Sequence, residues 1–222
     1  MTRLNIKAII NRKNARKLTC LTAYTSSIAS IVDKYADIIL IGDSLGTAIY
    51  GMKNTREVNL DMMMVHGKAV VNSTKNAFTM IDMPYQTYNN KKDALINANK
   101  LIKFTKCQSV KVETDGKNIE IIKHLIKNKI QVISHIGVTP QKYKNFKKIR
   151  SVGNNTKDME KILKLAIDLE KVGSSMLVLE CMKETLARKI SSKLKIPTIG
   201  IGASLECDGQ VLVINDILNT QS

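Results

Sequence analysis

Eight short apolar runs, rich in β-branched residues and spread along the whole chain, constrain the fold more than any other feature. They are LTCLTAY (18–24), DIILIGD (37–43), AFTMIDM (77–83), SVKVE (109–113), QVISHIG (131–137), SMLVLEC (175–181), IPTIGIGA (196–203) and QVLVIND (210–216). Most are apolar at consecutive positions, which describes strands buried on both faces. The stretches between them have helical period. Ala94, Leu95, Ala98, Leu101 and Ile102 share one face, as do Ile162, Leu163, Ala166 and Leu169, with Gly173 as a C-cap. Leu186, Ala187 and Ile190 repeat the pattern before Pro197 opens the next strand. Buried strands separated by amphipathic helices imply a parallel sheet. Eight of them point to a (β/α)8 TIM barrel over 1–222 as a single domain, with residues 1–17 a basic lead-in helix. An open doubly wound sheet is the alternative.

One feature favours closure. Asp43, Asp82, Glu113, His135 and Glu180 stand at the carboxyl ends of different strands. In a barrel those ends converge on one mouth, whereas in an open sheet they spread along an edge.

Composition narrows the function classes. No apolar stretch approaches the roughly 18 residues of a membrane helix. Cys20, Cys107, Cys181 and Cys207 are scattered, with neither zinc spacing nor a disulfide framework, so a reducing, cytoplasmic setting is expected. A formal charge of +16 invites a nucleic-acid reading, but the lysines are spread over every expected helix and Trp is absent. The first acidic residue is Asp33, which gives the opening MTRLNIKAIINRKNARK a superficial likeness to a transit peptide. The strand that begins at Leu18 argues instead for an ordinary basic lead-in.

The chemistry concentrates in four places. In SVKVE the period of two puts Lys111 and Glu113 on one face and Val110 and Val112 on the other. If the valines meet the helices, both charges point into the barrel, where burial demands partners. For Lys111 alone a simple salt bridge is as good an explanation as a site. Asp43 and Asp82 change that balance, because converging carboxylates repel unless a cation neutralises them, and all-oxygen ligands suit Mg2+. Glu180 follows apolar residues, so burial is expected to raise its pKa into the range of a general base. His135 at its strand end reads first as a hydrogen-bonded supporting residue, while His66 and His124 lie on expected helices with no role in the chemistry.

The letters GDSL at 42–45 match the nucleophile motif of a family of serine esterases. That chemistry needs a histidine base near the C-terminus, and the last histidine here is His135. Ser44 therefore lacks its activator.

Taken in order, LTCLTAYTSSIA, IGDSLGTAIYG, DMMMVHGKAVV, IDMPYQTY, VKVET, SHIGVTPQ, LVLEC and IPTIGIGASLECDGQVLV resemble the ketopantoate hydroxymethyltransferase family along almost the whole chain. The resemblance implies a (β/α)8 barrel enzyme of pantothenate biosynthesis. It would move a hydroxymethyl group from 5,10-methylenetetrahydrofolate, its co-substrate, to 3-methyl-2-oxobutanoate through a Mg2+-stabilised enolate. It also implies Asp43, Asp82 and Glu113 as the Mg2+ site, Glu113 directly or through water. Asp43, Ser44, Asp82 and Lys111 would contact the oxo acid, and Glu180 would accept the proton. Its partners would be these small molecules, with neither nucleic acid nor membrane, in a homo-oligomer. FKKIRSVGNN (146–155), Ser204 and Asn215 depart from the family pattern. A C-terminus at Ser222 is expected to shorten the barrel by most of its eighth helix. The other readings are an inactive relative stabilised by oligomerisation and a different Mg2+-dependent 2-oxo-acid lyase.

Overall fold

The computed structural model describes residues 3–220. Its strands are β1 (Leu18–Thr22), β2 (Ile38–Ile41), β3 (Phe78–Asp82), β4 (Ser109–Glu113), β5 (Val132–Gly137), β6 (Leu177–Glu180), β7 (Thr198–Ile201) and β8 (Gly209–Leu212). All pair in parallel in sequence order, and β8 returns to β1, so the sheet closes into a barrel. The helices are α1 (Ile6–Ile10), α2 (Ser26–Val32), α3 (Leu45–Tyr50), α4 (Leu60–Ser73), α5 (Lys91–Thr105), α6 (Ile119–Lys127), α7 (Thr156–Lys171), α8 (Glu184–Lys193) and α9 (Ile214–Ile217). Among the described residues no helix is long and apolar enough to cross a membrane.

The period-two argument for β4 holds. Val110 and Val112 join the outer core with Ala98, Leu101, Ile122 and Leu125 of the flanking helices. The inner core is a separate cluster: Leu18, Cys20, Ile38, Leu40, Phe78, Met80, Ile133, Met176, Val178, Ile199 and Val211 fill the barrel. Each strand thus buries one set of side chains against helices and the other in the lumen. Only the upper, carboxyl end of the lumen carries charge.

The basic lead-in is not one long helix. Only Ile6–Ile10 is helical within the described part of 1–17, capped by Asn5 and followed by turns in which Asn14 takes φ 62. Successive like charges and the asparagines at 11 and 14 do not favour extension, and tertiary contacts claim the basic side chains. Ile9 is fully buried under the lumen. Arg12 and Arg16 pair with Asp37, and Lys13 Nζ reaches Asp208 Oδ2 at 2.6 Å. Arg3 donates to the Val71 carbonyl oxygen at 2.9 Å. These cations close the bottom of the barrel.

The eighth-helix expectation also needs restating. β8 ends at Leu212 rather than running on to 216, and the chain turns into the short α9. Between β7 and β8, residues 202–208 form a tight connection with no helix. Asp208 holds that turn by accepting from Thr198 N and Oγ1 at 2.8 and 2.9 Å. The outer flank near β8 and β1 therefore carries a groove of about 410 Å³ beside Leu18, Leu21 and Leu212, with Leu205 81% exposed.

A buried carboxylate fixes the approach to β3. Asp33 accepts from the backbone N–H groups of Lys75, Asn76 and Ala77 at 2.8 to 3.1 Å. Burial alone would raise its pKa, but these donors hold it below the usual carboxylate value. Asp33→Ala is expected to cost about 2–3 kcal/mol at pH 7 by urea unfolding, because the N–H groups lose a charged acceptor. Since the folded pKa is depressed, the wild-type advantage is present above about pH 4 and lost as pH falls further.

Candidate active site

The strand ends bring Asp43, Ser44, Asp82, Lys111, Glu113, His135 and Glu180 to the wall of one cavity of about 330 Å³. Leu40, Val178, Ile201 and Val211 give it an apolar lining, and Phe146 and Ile149 of the departing 146–155 segment also line it. Register explains the convergence. Asp82 is level with Lys111 on the neighbouring strand and Glu113 with His135, two successive inward levels at the carboxyl end of the barrel.

Asp43 lies just past β2, where its backbone N–H donates to Asp82 Oδ2 at 3.0 Å. Its carboxyl is pushed well above the usual range by burial, by Asp82 and by Glu113. Lys111 Nζ lies 3.0 Å from Asp82 Oδ1, yet the approach is off the hydrogen-bond direction and that oxygen has no directed donor. Burial pulls the Lys111 ammonium down, but Asp82, Glu113 and Asp43 together hold it above its ordinary value.

His135 sits between two glutamates. Nδ1 is 3.5 Å from Glu113 Oε1 and Nε2 is 3.2 Å from Glu180 Oε2. Burial and Lys111 push the imidazole pKa down, but Glu113 and Glu180 raise it further, to about 9. The ring therefore stands between the two glutamates. Lys111 Nζ donates to Nδ1 at 3.2 Å and also stands 3.0 Å from Asp82 Oδ1. Glu180 is less buried than its apolar run suggests, with its side chain 23% exposed towards the cavity. The strand end below it is tight: at Gly137, where φ is +103, an added Cβ would lie 2.2 Å from the Glu180 carbonyl oxygen. Only glycine lets β5 and β6 approach there.

Ser44 has no histidine partner; its hydroxyl bonds Tyr24 Oη at 2.7 Å, and the residue begins α3. The tyrosine proton is itself hard to remove, its pKa pushed up to about 12 mainly by burial. The arrangement supplies no base for a serine nucleophile.

Sequence reasoning missed Gln141, although it lies within the quoted SHIGVTPQ. It donates from Nε2 to Asp43 Oδ2 at 2.7 Å and from its backbone N–H to Glu113 Oε2 at 3.1 Å. Proline directly before it opens a 3-10 turn, Pro140–Lys142, which carries it over the mouth. That proline was the available signal.

Four carboxyl groups thus face one ammonium, Lys111, and one imidazole, His135. The donor set is entirely carboxylate oxygen, which fits Mg2+. Among the described residues no three side chains already converge as a metal cluster. Asp43 and Asp82 adjoin, whereas Glu113 is turned to Gln141 and His135. Mg2+ usually keeps several waters and takes only one or two carboxylates, so this spacing suits it.

Comparison with known proteins agrees with the sequence motifs. The family model for ketopantoate hydroxymethyltransferase matches residues 3–222. The 3-methyl-2-oxobutanoate hydroxymethyltransferase of Pelagibacter ubique is 47% identical over 209 residues, covering 94% of this chain and 80% of the relative. The enzyme of the same name from Bartonella tribocorum is 43% identical over 217 residues, covering 97% and 80%. Among solved structures, phosphonopyruvate hydrolase in complex with oxalate and Mg++ superposes with a TM-score of 0.71 at 10% identity, covering 99% of this chain and 83% of that one. Phosphoenolpyruvate phosphomutase from Streptomyces platensis subsp. rosaceus gives 0.71 at 11% identity, covering 98% and 83%. These two show a shared fold.

Lys111→Met removes the ammonium beside Asp82 without changing volume greatly. It is expected to destabilise the metal-free protein by about 3–5 kcal/mol at pH 7, read by urea unfolding, because the buried carboxylates lose their counter-charge. Asp43 already has a raised folded pKa, so protonation relieves the repulsion and the loss should shrink as the pH is lowered.

Proposed function

Because this chain belongs to the ketopantoate hydroxymethyltransferase family, we propose that its cavity carries out that transfer on 3-methyl-2-oxobutanoate with Glu180 as the proton acceptor. The single observation that carries the assignment is the excess of carboxylates at the mouth over Lys111 and His135. Asp43 and Asp82 would hold Mg2+ directly, and Glu113 through water. When bound, Mg2+ would supply Lewis-acid stabilisation of the negative charge that grows on the keto oxygen as the substrate loses a proton.

The chain's own groups divide the remaining work. Lys111, pointing into the cavity beside Asp82, offsets the charge of the oxo acid's carboxylate. Ser44, at the start of α3, helps hold that acid. Leu40, Val178, Ile201 and Val211 present an apolar surface that suits a branched alkyl group and displaces water from C3. Glu180 Oε2, held at 3.2 Å by His135, takes the C3 proton. The imidazole beside it limits where that carboxylate can turn. C3 then bonds the methylene carbon of 5,10-methylenetetrahydrofolate as one of its two carbon–nitrogen bonds breaks; water replaces the second nitrogen and supplies the hydroxyl oxygen, and the proton from C3 and one from water end on the two nitrogens of tetrahydrofolate. Phe146 and Ile149 stand where the second reactant would enter.

The four cysteines are free thiols, in keeping with a cytoplasmic setting. Ile31, Tyr35 and Val65, exposed at 55%, 75% and 64% on or just after α2 and on α4, support a homo-oligomer.

Deuterium exchange at C3 separates proton removal from transfer. In D2O with Mg2+ and 3-methyl-2-oxobutanoate, NMR should show exchange that EDTA abolishes and that Glu180→Gln slows by about 10²–10⁴-fold. Undiminished exchange in the folded variant would falsify the assignment of Glu180. Exchange without transfer from 5,10-methylenetetrahydrofolate would instead indicate a different 2-oxo-acid reaction.

A further inference from the structure

Gln141 is buried, and every polar group it has is engaged. Its two amide hydrogens go to Asp43 Oδ2 at 2.7 Å and the Met83 carbonyl oxygen at 3.0 Å. Its Oε1 accepts from the Tyr88 hydroxyl. The backbone N–H donates to Glu113 Oε2, and the backbone oxygen accepts from Arg56 at 3.2 Å. Arg56 is in turn stacked 3.8 Å above the Tyr85 ring. A flipped carboxamide would set Oε1 against the Asp43 carboxylate and the Met83 carbonyl, so the network admits one orientation.

We infer that Gln141 is the positioning residue of the proposed cation site: its amide aims Asp43, leaving that carboxylate's other oxygen for the metal, and its backbone N–H aims Glu113, whose other oxygen lies 3.5 Å from His135 Nδ1. The inference rests on the reading of Asp43 and Glu113 as ligands. It extends that reading to a residue on another strand's loop, 98 positions from Asp43. Groups that orient a ligand carboxylate typically change metal affinity by about 10–100-fold when removed. A carboxylate freed of Gln141 would rotate towards Lys111 or its neighbouring acids, and part of the binding energy would go into turning it back.

Mn2+ titration of the metal-free protein, with free Mn2+ read by electron paramagnetic resonance, tests this without turnover. The comparison uses wild type, Gln141→Met, Gln141→Ala and Asp43→Asn. Methionine keeps the length and volume, and alanine leaves room for water to satisfy Met83 and Tyr88 should methionine prevent folding. The expected result is a Kd raised about 10–100-fold in the Gln141 variants, with far-UV circular dichroism unchanged. Excess Mg2+ should restore most C3 exchange in Gln141→Met but not in Asp43→Asn. Gln141 variants that bind Mn2+ like wild type, while Asp43→Asn does not, overturn the inference and leave the ligand reading standing. Wild type that fails to bind Mn2+ overturns both.

Discussion

The mouth of this barrel is organised around carboxylates that repel one another. Strand register brings Asp82, Glu113 and Glu180 to one end of the barrel, and Asp43 joins them from the turn just past β2. The lumen beneath is apolar, so the repulsion is poorly screened. Everything polar around the mouth answers to it. Lys111 neutralises from below, His135 ties the two glutamates, and Gln141 spans from one acid to another. Such a cluster is a poor device for stability, since an apolar lining would cost less desolvation. Its persistence makes sense as a receptor for positive charge.

Rigidity at the mouth comes from short-range backbone constraints. Glu180 lies between two positions with positive φ, Gly137 packed against its carbonyl and Cys181 immediately after it at φ 47. A strand that turns so sharply at its end leaves the glutamate few orientations. Asp43 is held differently, by its own N–H on Asp82 and by the amide across from it. Glu180, the proposed general base, and Asp43, the proposed ligand, are therefore fixed by separate means, so that the cation region can change without moving Glu180.

Much of this was legible in the sequence because burial on both faces leaves a plain record. The run SVKVE became β4 with its boundaries unchanged, since charges at alternate positions and valines between them admit one orientation in a closed sheet. Helix faces followed from spacing, as with Ala94, Ala98 and Leu101. The misses share a cause: long-range partners. Residues 1–17 read as a basic helix because nothing local announces that Arg12, Lys13 and Arg16 will meet Asp37 and Asp208. QVLVIND read as strand to 216, although Ile214 N–H turns to bond Thr22 Oγ1 and starts α9. Gln141 was invisible because an uncharged amide in a turn acquires meaning only from Asp43, far away in the chain.

The bottom closure of the barrel bears on how the chain matures as it is synthesised. Lys13 waits for Asp208 and Lys17 for the carbonyls of Leu205 and Cys207, so the segment beside β1 is completed by one about 190 positions further along the chain. Until β8 pairs with it, β1 has an open edge, and positive side chains beside such an edge disfavour pairing with other strands. The cations at 13 and 17 thus act as the latch that the approach to β8 draws shut.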